Sequence, residues 1–476
     1  MINKEAEREN VLWINGEGKE EAKMLRGGHR EHRWALCALL SVFIFAFLFA
    51  AIPVSAHNQA ESTDSHQFTL QIYGNANGDD TIDMRDVTYI KLVIFGKKPE
   101  TELCDANYDG RVSMLDVVQT KLIIVGKEGE ITFIDCRGKS VSVKKPVRRI
   151  VVLSDSQADA IRVLGAEDRV VGIGSGLANE KILLPVMSKL PTVGGGSPGT
   201  APDYEAILSL KPDIILPQGT SNEELEEKLN PWVTVVRFDF YKPEIMSKQI
   251  MELGYILDEE DKAKEFVDFY SHVLNTVKER TGEISEAEKP RVFYCAYPSA
   301  GYQYYAITPQ YWLGGVLTMA GGRNIAADLS GPMVDPEWVL RQNPDIIIAH
   351  EGSRLPSGYD TDDITGAKKV IEQMVNEPGW EHIKAVEDGK IYIEASDIDC
   401  GPQLFIVVTY MAKWFYPDLF EDLDPEPIQQ EYLTRFQRID YDLDEHGVFV
   451  YPPIIKGEGK LAGIPDRYYD TIVGQQ

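Results

Sequence analysis

Hydrophobic positions after residue 130 alternate between helical periodicity and short, continuously apolar runs. The motif Glu-x-x-Leu-x-x-x-Pro-Asp-Ile-Ile occurs twice, at residues 205–215 and 337–347. Each copy predicts a short helix with Glu in its first turn, which ends at Pro-Asp and precedes a strand of the kind buried on both faces of a parallel sheet. The repetition predicts two similar α/β lobes, and such folds bind ligands in the cleft at the carboxyl ends of their strands.

The same patterns predict where the lobes begin and end. A hairpin around Arg137-Gly138 opens the first lobe, residues 131–241. Residues 242–282 form one amphipathic pattern, which predicts a single connecting helix of roughly 35–40 residues and about 55 Å that acts as a rigid strut. The second lobe covers residues 283–420, and residues 421–476 form a C-terminal extension to which the sequence assigns no role.

The N-terminal 56 residues contain an export signal. Residues 34–52 are almost purely apolar, follow three arginines and end in Pro53-Val-Ser-Ala56, a small-residue cleavage pattern. Reading from Met24 gives a conventional signal, so translation is expected to start there. The alternative is an uncleaved membrane anchor formed by residues 34–52. Both interpretations place the rest of the protein outside the cytoplasm, with residues 57–71 as a linker.

The composition is that of a folded, acidic protein. Its 476 residues leave room for two or three domains, and 43% hydrophobic residues allow a sizeable core in each. The formal charge of -27, from 75 acidic and 48 basic residues, argues against nucleic-acid binding, because a polyanion would be repelled. A cation or a cationic complex is compatible with this charge.

Two of the exported cysteines are a candidate disulfide pair. Cys295 and Cys400 both follow strand-like runs of the second lobe. The alternative is that each cysteine is a small buried hydrophobic residue.

Two twelve-residue loops, at residues 75–86 and 105–116, have the spacing of a calcium site. Oxygen-bearing side chains stand at positions 1, 3, 5, 9 and 12 of each loop, and position 7 offers its backbone carbonyl to a hard cation. The candidate ligands are Asn75, Asn77, Asp79, Thr81, Asp83 and Asp86 in the first loop and Asp105, Asn107, Asp109, Arg111, Ser113 and Asp116 in the second. Because each loop runs into a helical pattern with few other core residues, the two units are expected to draw much of their folding energy from bound metal.

Residues 72–127 resemble a dockerin, a small calcium-dependent module that inserts into cohesin domains. The resemblance implies an all-α module, two Ca²⁺ ions and a cohesin-containing partner. The first loop departs from the family pattern, with Asn75 at position 1 and Asp80 in place of glycine at position 6, which predicts weaker calcium affinity there. Positions 10 and 11, which contribute to cohesin choice in the family, are Met84-Arg85 and Met114-Leu115 and suggest a hydrophobic interface.

Residues 131–420 resemble the solute-binding proteins of iron-siderophore, haem and cobalamin ABC importers. The opening hairpin, the repeated motif, residues 315–325 and the connecting helix carry this resemblance. It implies two Rossmann-like lobes joined by one long helix, which capture a metal chelate and deliver it to an ABC permease of the cytoplasmic membrane.

The resemblance also implies two permease-docking residues. In the family, one exposed glutamate at the tip of each lobe meets an arginine cluster of the permease, and Glu205 and Glu337 match these glutamates by motif. A carboxylate at an equivalent place on each rigid lobe can bind a guanidinium in a fixed geometry. The alternative is that both glutamates merely favour the positive ends of their helices.

The ligand is expected where strands end. The candidate residues are Ser154, Asp155, Ser156, Ser175, Ser197 and Gln218 in the first lobe and Tyr297, Tyr302, Tyr304, Tyr305, His350, Ser396 and Asp397 in the second. The tyrosines suit a large planar ligand, because tyrosine joins a flat apolar face to a polar rim; core packing is the alternative. The histidines form no close cluster with glutamates along the sequence, which argues against direct ligation of a bare transition metal.

Two other functions remain open at this stage. A dockerin-bearing extracellular hydrolase would need a carboxylate pair or an activated nucleophile, and 75 acidic residues offer too many candidate pairs to decide. A surface adhesion protein could retain the same fold, because fold alone does not determine function. The prediction is a non-enzymatic binding protein without catalytic residues.

Overall fold

The computed structural model describes residues 68–196, 200–296, 303–350 and 357–474. The predicted signal or anchor and the start at Met24 lie outside these residues. No helix of the described part of the chain is both long and apolar enough to cross a membrane.

The α-helices and β-strands follow one another in mixed order. The helices are α1 (Met84–Ile94), α2 (Met114–Ile124), α3 (Asp155–Val163), α4 (Tyr204–Ser209), α5 (Leu225–Leu229), α6 (Met246–Leu257), α7 (Glu260–Thr281), α8 (Leu313–Met319), α9 (Pro336–Gln342), α10 (Thr365–Val375), α11 (Lys384–Glu387), α12 (Phe405–Phe415), α13 (Pro425–Glu431) and α14 (Tyr469–Val473). The strands are β1 (Glu130–Ile134), β2 (Ser140–Lys144), β3 (Ile150–Val152), β4 (Val170–Ile173), β5 (Ile214–Leu216), β6 (Thr234–Val235), β7 (Arg291–Ala296), β8 (Tyr304–Ala306), β9 (Arg323–Asn324), β10 (Met333–Val334), β11 (Ile346–His350), β12 (Ile391–Glu394), β13 (Val450–Tyr451), β14 (Ile454–Gly457) and β15 (Lys460–Ala462).

The first copy of the repeated motif forms α4 and β5 in a parallel sheet of four strands. The strand order is β4-β3-β5-β6, and Ile150 pairs with both Val170 and Ile214. All three residues of β3 and of β5 are buried. A strand covered on both faces needs apolar side chains at every position, which is why the continuous apolar runs predicted this sheet.

The second copy forms α9 and β11 in a separate sheet. The strand order is β10-β8-β7-β11-β12-β13, with β9 beside β7. The central strands β7, β11 and β12 are parallel. Strands β8 and β13 run antiparallel to them, and β10, which pairs antiparallel with β8, runs in the same direction as the central strands. The two predicted α/β lobes are therefore present, each with one copy of the motif at its centre.

The prediction of one long connecting helix is wrong. Two helices, α6 and α7, occupy this stretch, and Asp258 between them has a left-handed backbone with φ of 59°. They pack closely after the turn, since a Cβ on Gly254 would lie 2.6 Å from the Cβ of Ala263. An αL residue ends a helix, and the acidic residues that follow favour the start of the next one. The amphipathic period alone did not reveal this break.

Residues 68–127 pack directly against the first lobe. Ile72 forms a β-bridge with Phe133, and the backbone N–H of Ile134 donates to the carbonyl of Gln71 at 2.7 Å. Leu70 and Ile72 are fully buried in the same core as Phe133. The last residues of the predicted linker, 68–71, are therefore part of the folded structure, because their apolar side chains complete this core.

The C-terminal extension contacts both lobes. Its strand β13 joins the edge of the second sheet beside β12. On the first lobe, the buried Arg162 of α3 donates through Nε to Gln437 Oε1 at 2.9 Å, and Arg438 pairs with Glu167 at 2.9 Å. Burial of these polar groups with their partners makes the extension an integral part of the fold.

Candidate functional site

A cavity of about 690 Å³ lies at the carboxyl ends of the central strands of both sheets. Its lining includes residues that follow β3, β5 and β12 and the last residue of β11. The polar lining residues are Ser154, Asp155, Asp159, Glu180, Gln218 and Tyr241 from the first lobe and Trp312, His350, Ser357, Ser396, Asp397, Asp360, Asp399, Cys400 and Gln403 from the second. Both lobes thus contribute to one cleft, as the two-lobe interpretation predicts.

Six of the predicted ligand residues line this cleft: Ser154, Asp155, Gln218, His350, Ser396 and Asp397. Ser156 is buried in the first turn of α3, and Ser175 lies in a short 3₁₀-helix after β4. Ser197, Tyr297 and Tyr302 lie outside the described residues. The expectation that the ligand lies where strands end therefore led to the position of this cleft. It did not show which of the residues after the strands line the cleft.

The two described tyrosines of the predicted cluster do not line this cleft. Tyr304 is buried, and its ring stacks on Trp380 with centroids 5.1 Å apart, so for Tyr304 the core-packing alternative holds. Tyr305 is 38% exposed and contacts Tyr311 edge-on. A strand alternates its side chains between the two faces, so neighbouring residues of β8 have different surroundings.

Aromatic side chains that the sequence did not single out form one wall of the cleft. The rings of Tyr241 and Trp312 meet edge-to-face at 5.2 Å, across the two lobes, and Trp312 also contacts the ring of His350 at 6.2 Å. The hydroxyl of Tyr241 donates to Asp155 Oδ1 at 2.8 Å. These rings provide flat apolar area next to carboxylates, an arrangement that suits a cation with an apolar surface.

The cleft is strongly acidic, and no Lys or Arg is among the described residues that line it. Burial, reinforced by the charge of Asp155, raises the pKa of Asp159 to about 8. Burial likewise raises the pKa of Glu180 to about 7 and that of Asp397 to about 6, with neighbouring carboxylates adding to both. Crowded carboxylates resist ionisation together, so positive charge in the cleft would be stabilising.

His350 lies between two buried carboxylates on the floor of the cleft. Its Nδ1 is 3.0 Å from Glu394 Oε1 and 2.6 Å from Asp399 Oδ2, and neither carboxylate is exposed to solvent. Burial alone would lower the pKa of His350, but the charges of Asp399 and Glu394 outweigh it and raise this pKa well above its ordinary value. The hydroxyl of Tyr294 also donates to Glu394 Oε1, at 2.7 Å.

This cluster corrects the expectation that no histidine lies close to a glutamate. The ligand-type atoms of His350, Glu394 and Asp399 all lie within 4.8 Å of one another. The sequence did not show the cluster because His350 stands more than forty positions before Glu394 and Asp399 and is brought beside Glu394 only by the parallel pairing of their strands. A signal was nevertheless present, since both residues end an apolar strand.

Residues 150–397 match the profile of a known family, described as periplasmic binding protein. The chain belongs to this family. It is 26% identical over 301 residues, which are 61% of this chain and 87% of the relative, to an uncharacterized ABC transporter substrate-binding lipoprotein, YvrC, of Bacillus subtilis. It is 23% identical over 338 residues, 64% of this chain and 90% of the relative, to the molybdate-binding protein MolA of Haemophilus influenzae.

Among solved structures, the TroA-like periplasmic binding protein FepB from Veillonella parvula is similar, with a TM-score of 0.56 and 24% identity. The similarity covers 67% of this chain and 98% of FepB. At this identity the likeness shows the fold alone. The relatives named above are binding proteins of ABC transporters or bind a small ligand, which agrees with the predicted class.

In this binding protein, Glu205 and Glu337 occupy equivalent places. Each is the second residue of a short helix, α4 or α9, whose N-cap aspartate accepts a hydrogen bond from the helix backbone. Both glutamates are exposed, and a carboxylate oxygen of Glu337 lies 3.9 Å from the guanidinium of Arg341, four residues further along the helix. An aspartate already caps each helix, so helix capping does not require these glutamates.

The free cysteines of the described residues include Cys295 and Cys400, so the candidate disulfide is not formed. Cys295 is buried in β7, and Cys400 lines the cleft. The alternative of a buried unpaired residue therefore holds for Cys295.

The two candidate calcium loops share one hydrogen-bond pattern. Position 12, Asp86 or Asp116, is fully buried and accepts from the backbone N–H groups of positions 3 and 9. Burial raises the pKa of Asp86 to about 6, and the charges of Asp79 and Asp83 contribute. A buried carboxylate beside other carboxylates is the donor set that a hard cation requires, so the residues fit Ca²⁺.

The loops differ in the ways that the sequence suggests. Gly110, at position 6 of the second loop, has φ of 86°, whereas Asp80 has no positive φ. In the first loop, Arg85 pairs with Asp79 and Asp83 at 3.0 and 2.9 Å and already neutralises part of their charge. The buried Asn75 keeps one side-chain atom, Oδ1, without a hydrogen-bond partner among the described residues. The residues of the second loop therefore fit a calcium ion better than those of the first.

Apolar side chains are exposed where the two helices begin. Met84, Met114, Leu115 and Val118 are each more than half exposed, with values of 54, 55, 60 and 52%. Single exposed apolar residues are common, but Met114, Leu115 and Val118 are near neighbours on one helix and together form an apolar patch. This patch contains Met114 and Leu115, positions 10 and 11 of the second loop, for which the sequence predicts a hydrophobic interface. In the first loop Met84 at position 10 is exposed, but position 11 is Arg85.

Proposed function

We propose that this chain is the extracytoplasmic solute-binding component of an ABC importer, which captures a metal chelate between its lobes and delivers it to the permease. The observation that carries this proposal is the 690 Å³ cleft, to which both sheets contribute strand-end residues. The size suits a small organic ligand, because such pockets usually span roughly 300–1,000 Å³.

The acidic lining of the cleft favours neutral or cationic ligands over anionic ones. Haem carries propionates, many ferric siderophore complexes carry net negative charge, and molybdate, named for the relative MolA, is an oxyanion. Each of these would meet a lining rich in acidic groups, including Asp155, Asp360 and Asp397, without a compensating Lys or Arg among the described lining residues. A neutral or cationic complex, such as a corrinoid, meets no such repulsion and can pack on Trp312 and Tyr241.

Delivery requires a contact with the permease at both lobes. Exposed carboxylates at equivalent positions, Glu205 and Glu337, can each bind an arginine of the permease. Changing both to Ala is expected to abolish uptake but to leave ligand affinity unchanged, because both residues lie outside the cleft lining. Matched changes at Glu224 and Glu381, other glutamates of the lobes, serve as the control. Normal uptake by the Glu205/Glu337 double variant would contradict this assignment.

The N-terminal residues 72–127 provide the attachment in this proposal. Two calcium-loaded loops would order α1 and α2 and present the apolar patch of Met114, Leu115 and Val118, together with Met84, to a cohesin domain. The exported protein would then be held at the cell surface, or at the membrane if residues 34–52 remain as an anchor. Pull-down with a panel of cohesins, with and without EGTA, tests this attachment. If a cohesin captures the protein equally well in the presence of EGTA, the calcium-dependent attachment is contradicted.

The ligand is identified by thermal unfolding in calcium buffer against ferric siderophores, haem, corrinoids and molybdate. A ligand that binds only the folded state raises the unfolding temperature in proportion to occupancy. We expect a shift with a neutral or cationic complex and none with molybdate. Absence of any shift, together with hydrolysis of a polysaccharide or peptide, would favour the hydrolase; absence of both, with cell-surface adhesion, would favour the adhesion protein.

A further inference from the structure

We infer that His350, Glu394 and Asp399 form a site for a divalent first-row transition-metal ion, so that the protein itself binds the metal of its cargo. The inference rests on the proposed function for the view that this metal is cargo. The binding site itself stands on the geometry of the cleft floor and is tested without transport.

The three side chains converge from different parts of the second sheet. His350 ends β11, Glu394 ends the neighbouring β12, and Asp399 follows in the next turn. The distances from His350 Nδ1 are 3.0 Å to Glu394 Oε1 and 2.6 Å to Asp399 Oδ2. Ligand atoms around one transition-metal ion stand about 3 Å apart, since each metal bond is about 2.0–2.2 Å long. These three atoms are therefore near the spacing of a coordination sphere.

The cluster is incomplete as a set of protein groups. Glu394 and Asp399 are both 0% exposed, and Glu394 Oε2 and Asp399 Oδ1 have no hydrogen-bond partner among the described residues. One Nδ1–H group cannot make a full hydrogen bond to two carboxylates at once. A singly charged imidazolium also leaves one of the two negative charges uncompensated. Buried carboxylates without donors are costly unless paired or bound to a metal. A divalent cation would satisfy this excess of acceptors.

The chemistry of the donors selects the class of ion. One imidazole nitrogen with two carboxylate oxygens suits Zn²⁺, Ni²⁺, Co²⁺ and similar ions, whereas Ca²⁺ and Mg²⁺ prefer oxygen alone. His350 and Asp399 line the cavity and Glu394 lies behind them, so the remaining coordination positions face the cleft. Water or a partial chelator in the cleft can occupy these positions. The hydroxyl of Tyr294 orients Glu394 from behind.

The test is calorimetric titration of the full-length chain in mild detergent with NiCl₂, CoCl₂ and ZnCl₂. Saturating Ca²⁺ is kept in the buffer so that the loops at residues 75–86 and 105–116 do not take up the probe. We expect one equivalent of at least one of these ions to bind, with a visible absorption band for bound Co²⁺. His350→Gln and Asp399→Asn should each weaken binding by at least about 100-fold.

The matched control is Glu252→Gln. Glu252 is an equally buried carboxylate on α6 and accepts from the backbone N–H of Gln71, away from the cleft. This variant should bind metal as the natural chain does. Circular dichroism checks that every variant is folded, and the two cleft substitutions are independent, so one unfolded variant leaves the other decisive. Failure of the natural chain to bind any of the three ions overturns the site regardless of the variants.

Transport gives a separate readout. If the metal binds but deletion of the protein leaves metal uptake by cells unchanged, the site stands and the importer proposal fails. If uptake of a chelate depends on the protein but no metal ion binds in the titration, the importer proposal stands and this inference fails.

Discussion

Replacing Asp159 by Asn should make the protein much less sensitive to rising pH. Asp159 lies on α3 at the cleft and is only 6% exposed; Gln403 Nε2 donates to its Oδ2 at 3.1 Å. Burial and the charge of Asp155 raise its pKa from an ordinary 3.8 to about 8. The folded protein keeps this carboxyl protonated at pH values at which the unfolded chain ionises it. Stability is therefore lost as pH rises from about 4 to about 8.

The magnitude follows from the size of the shift. Each pKa unit corresponds to about 1.4 kcal/mol, so between about pH 5.5 and about pH 8 this carboxyl lowers the free energy of unfolding by an amount of the order of 3 kcal/mol. Asn cannot ionise and can still accept the hydrogen bond from Gln403. Asp159→Asn should therefore lose about 3 kcal/mol less than the natural chain over this interval, although Glu180 and Asp397 leave part of the dependence in place.

Urea unfolding at the two pH values, with calcium present and no transition metal, measures this difference. Asp168→Asn, a change at an exposed carboxyl just beyond the same helix, is the matched control and should keep the dependence of the natural chain. Equal pH dependence of the Asp159→Asn variant and the natural chain would refute the reasoning. It would mean that Asp159 ionises in the folded cleft or that water reaches it.

Three further changes test the packing of α6 on α7, the C-terminal extension and the calcium loops. Gly254→Val should cost about 1–3 kcal/mol in urea unfolding, because its side chain would overlap Ala263; an unchanged stability would contradict the close packing of α6 on α7. Gln437→Ala should cost about 1–3 kcal/mol by leaving Nε of the buried Arg162 without its side-chain acceptor, although the bond from Arg162 to the backbone carbonyl of residue 437 remains. Hydrogen exchange of the extension should rise; unchanged exchange would show that the side-chain bond does not hold the extension in place. Removing calcium with EGTA should increase exchange in residues 72–127, and exchange that stays slow would contradict the calcium assignment.

The sequence predicted the lobes because their signal is local. A strand buried on both faces must be apolar throughout, so β5 and β11 were recognisable from short windows, and their repeated context revealed two lobes. The break at Asp258 left no comparable signal. The hydrophobic period continues across it, and only the left-handed backbone and the contact of Gly254 with Ala263 separate the two helices. A helix–turn–helix and one long helix therefore share nearly the same pattern.

The sequence predicted where the candidate cleft lies, but only some of the residues that line it. Strand ends led to Asp155, His350 and Asp397, because topology brings the carboxyl ends of parallel strands together. Asp159 was missed although it stands four residues after Asp155, the spacing that places two side chains on one face of a helix. Asp399 was missed because a turn after β12 brings it to His350. The pattern of residue types along the chain does not predict the geometry of such a turn.

The C-terminal extension contacts both lobes and thereby fixes the positions of the acidic groups in the cleft. The extension fastens α3 of the first lobe through Arg162 while its strand β13 extends the second sheet. Carboxyl groups from the two lobes, such as Asp159 and Asp397, are therefore held near one another before any ligand arrives, and burial together with the neighbouring acidic groups raises the pKa of Asp159, so that its ionisation is costly. A cation that enters the cleft would favour ionisation of these groups, because a nearby positive charge stabilises the carboxylate form. An anion of the same size would disfavour their ionisation, so under the importer proposal ligand charge is expected to contribute to selectivity in this cleft.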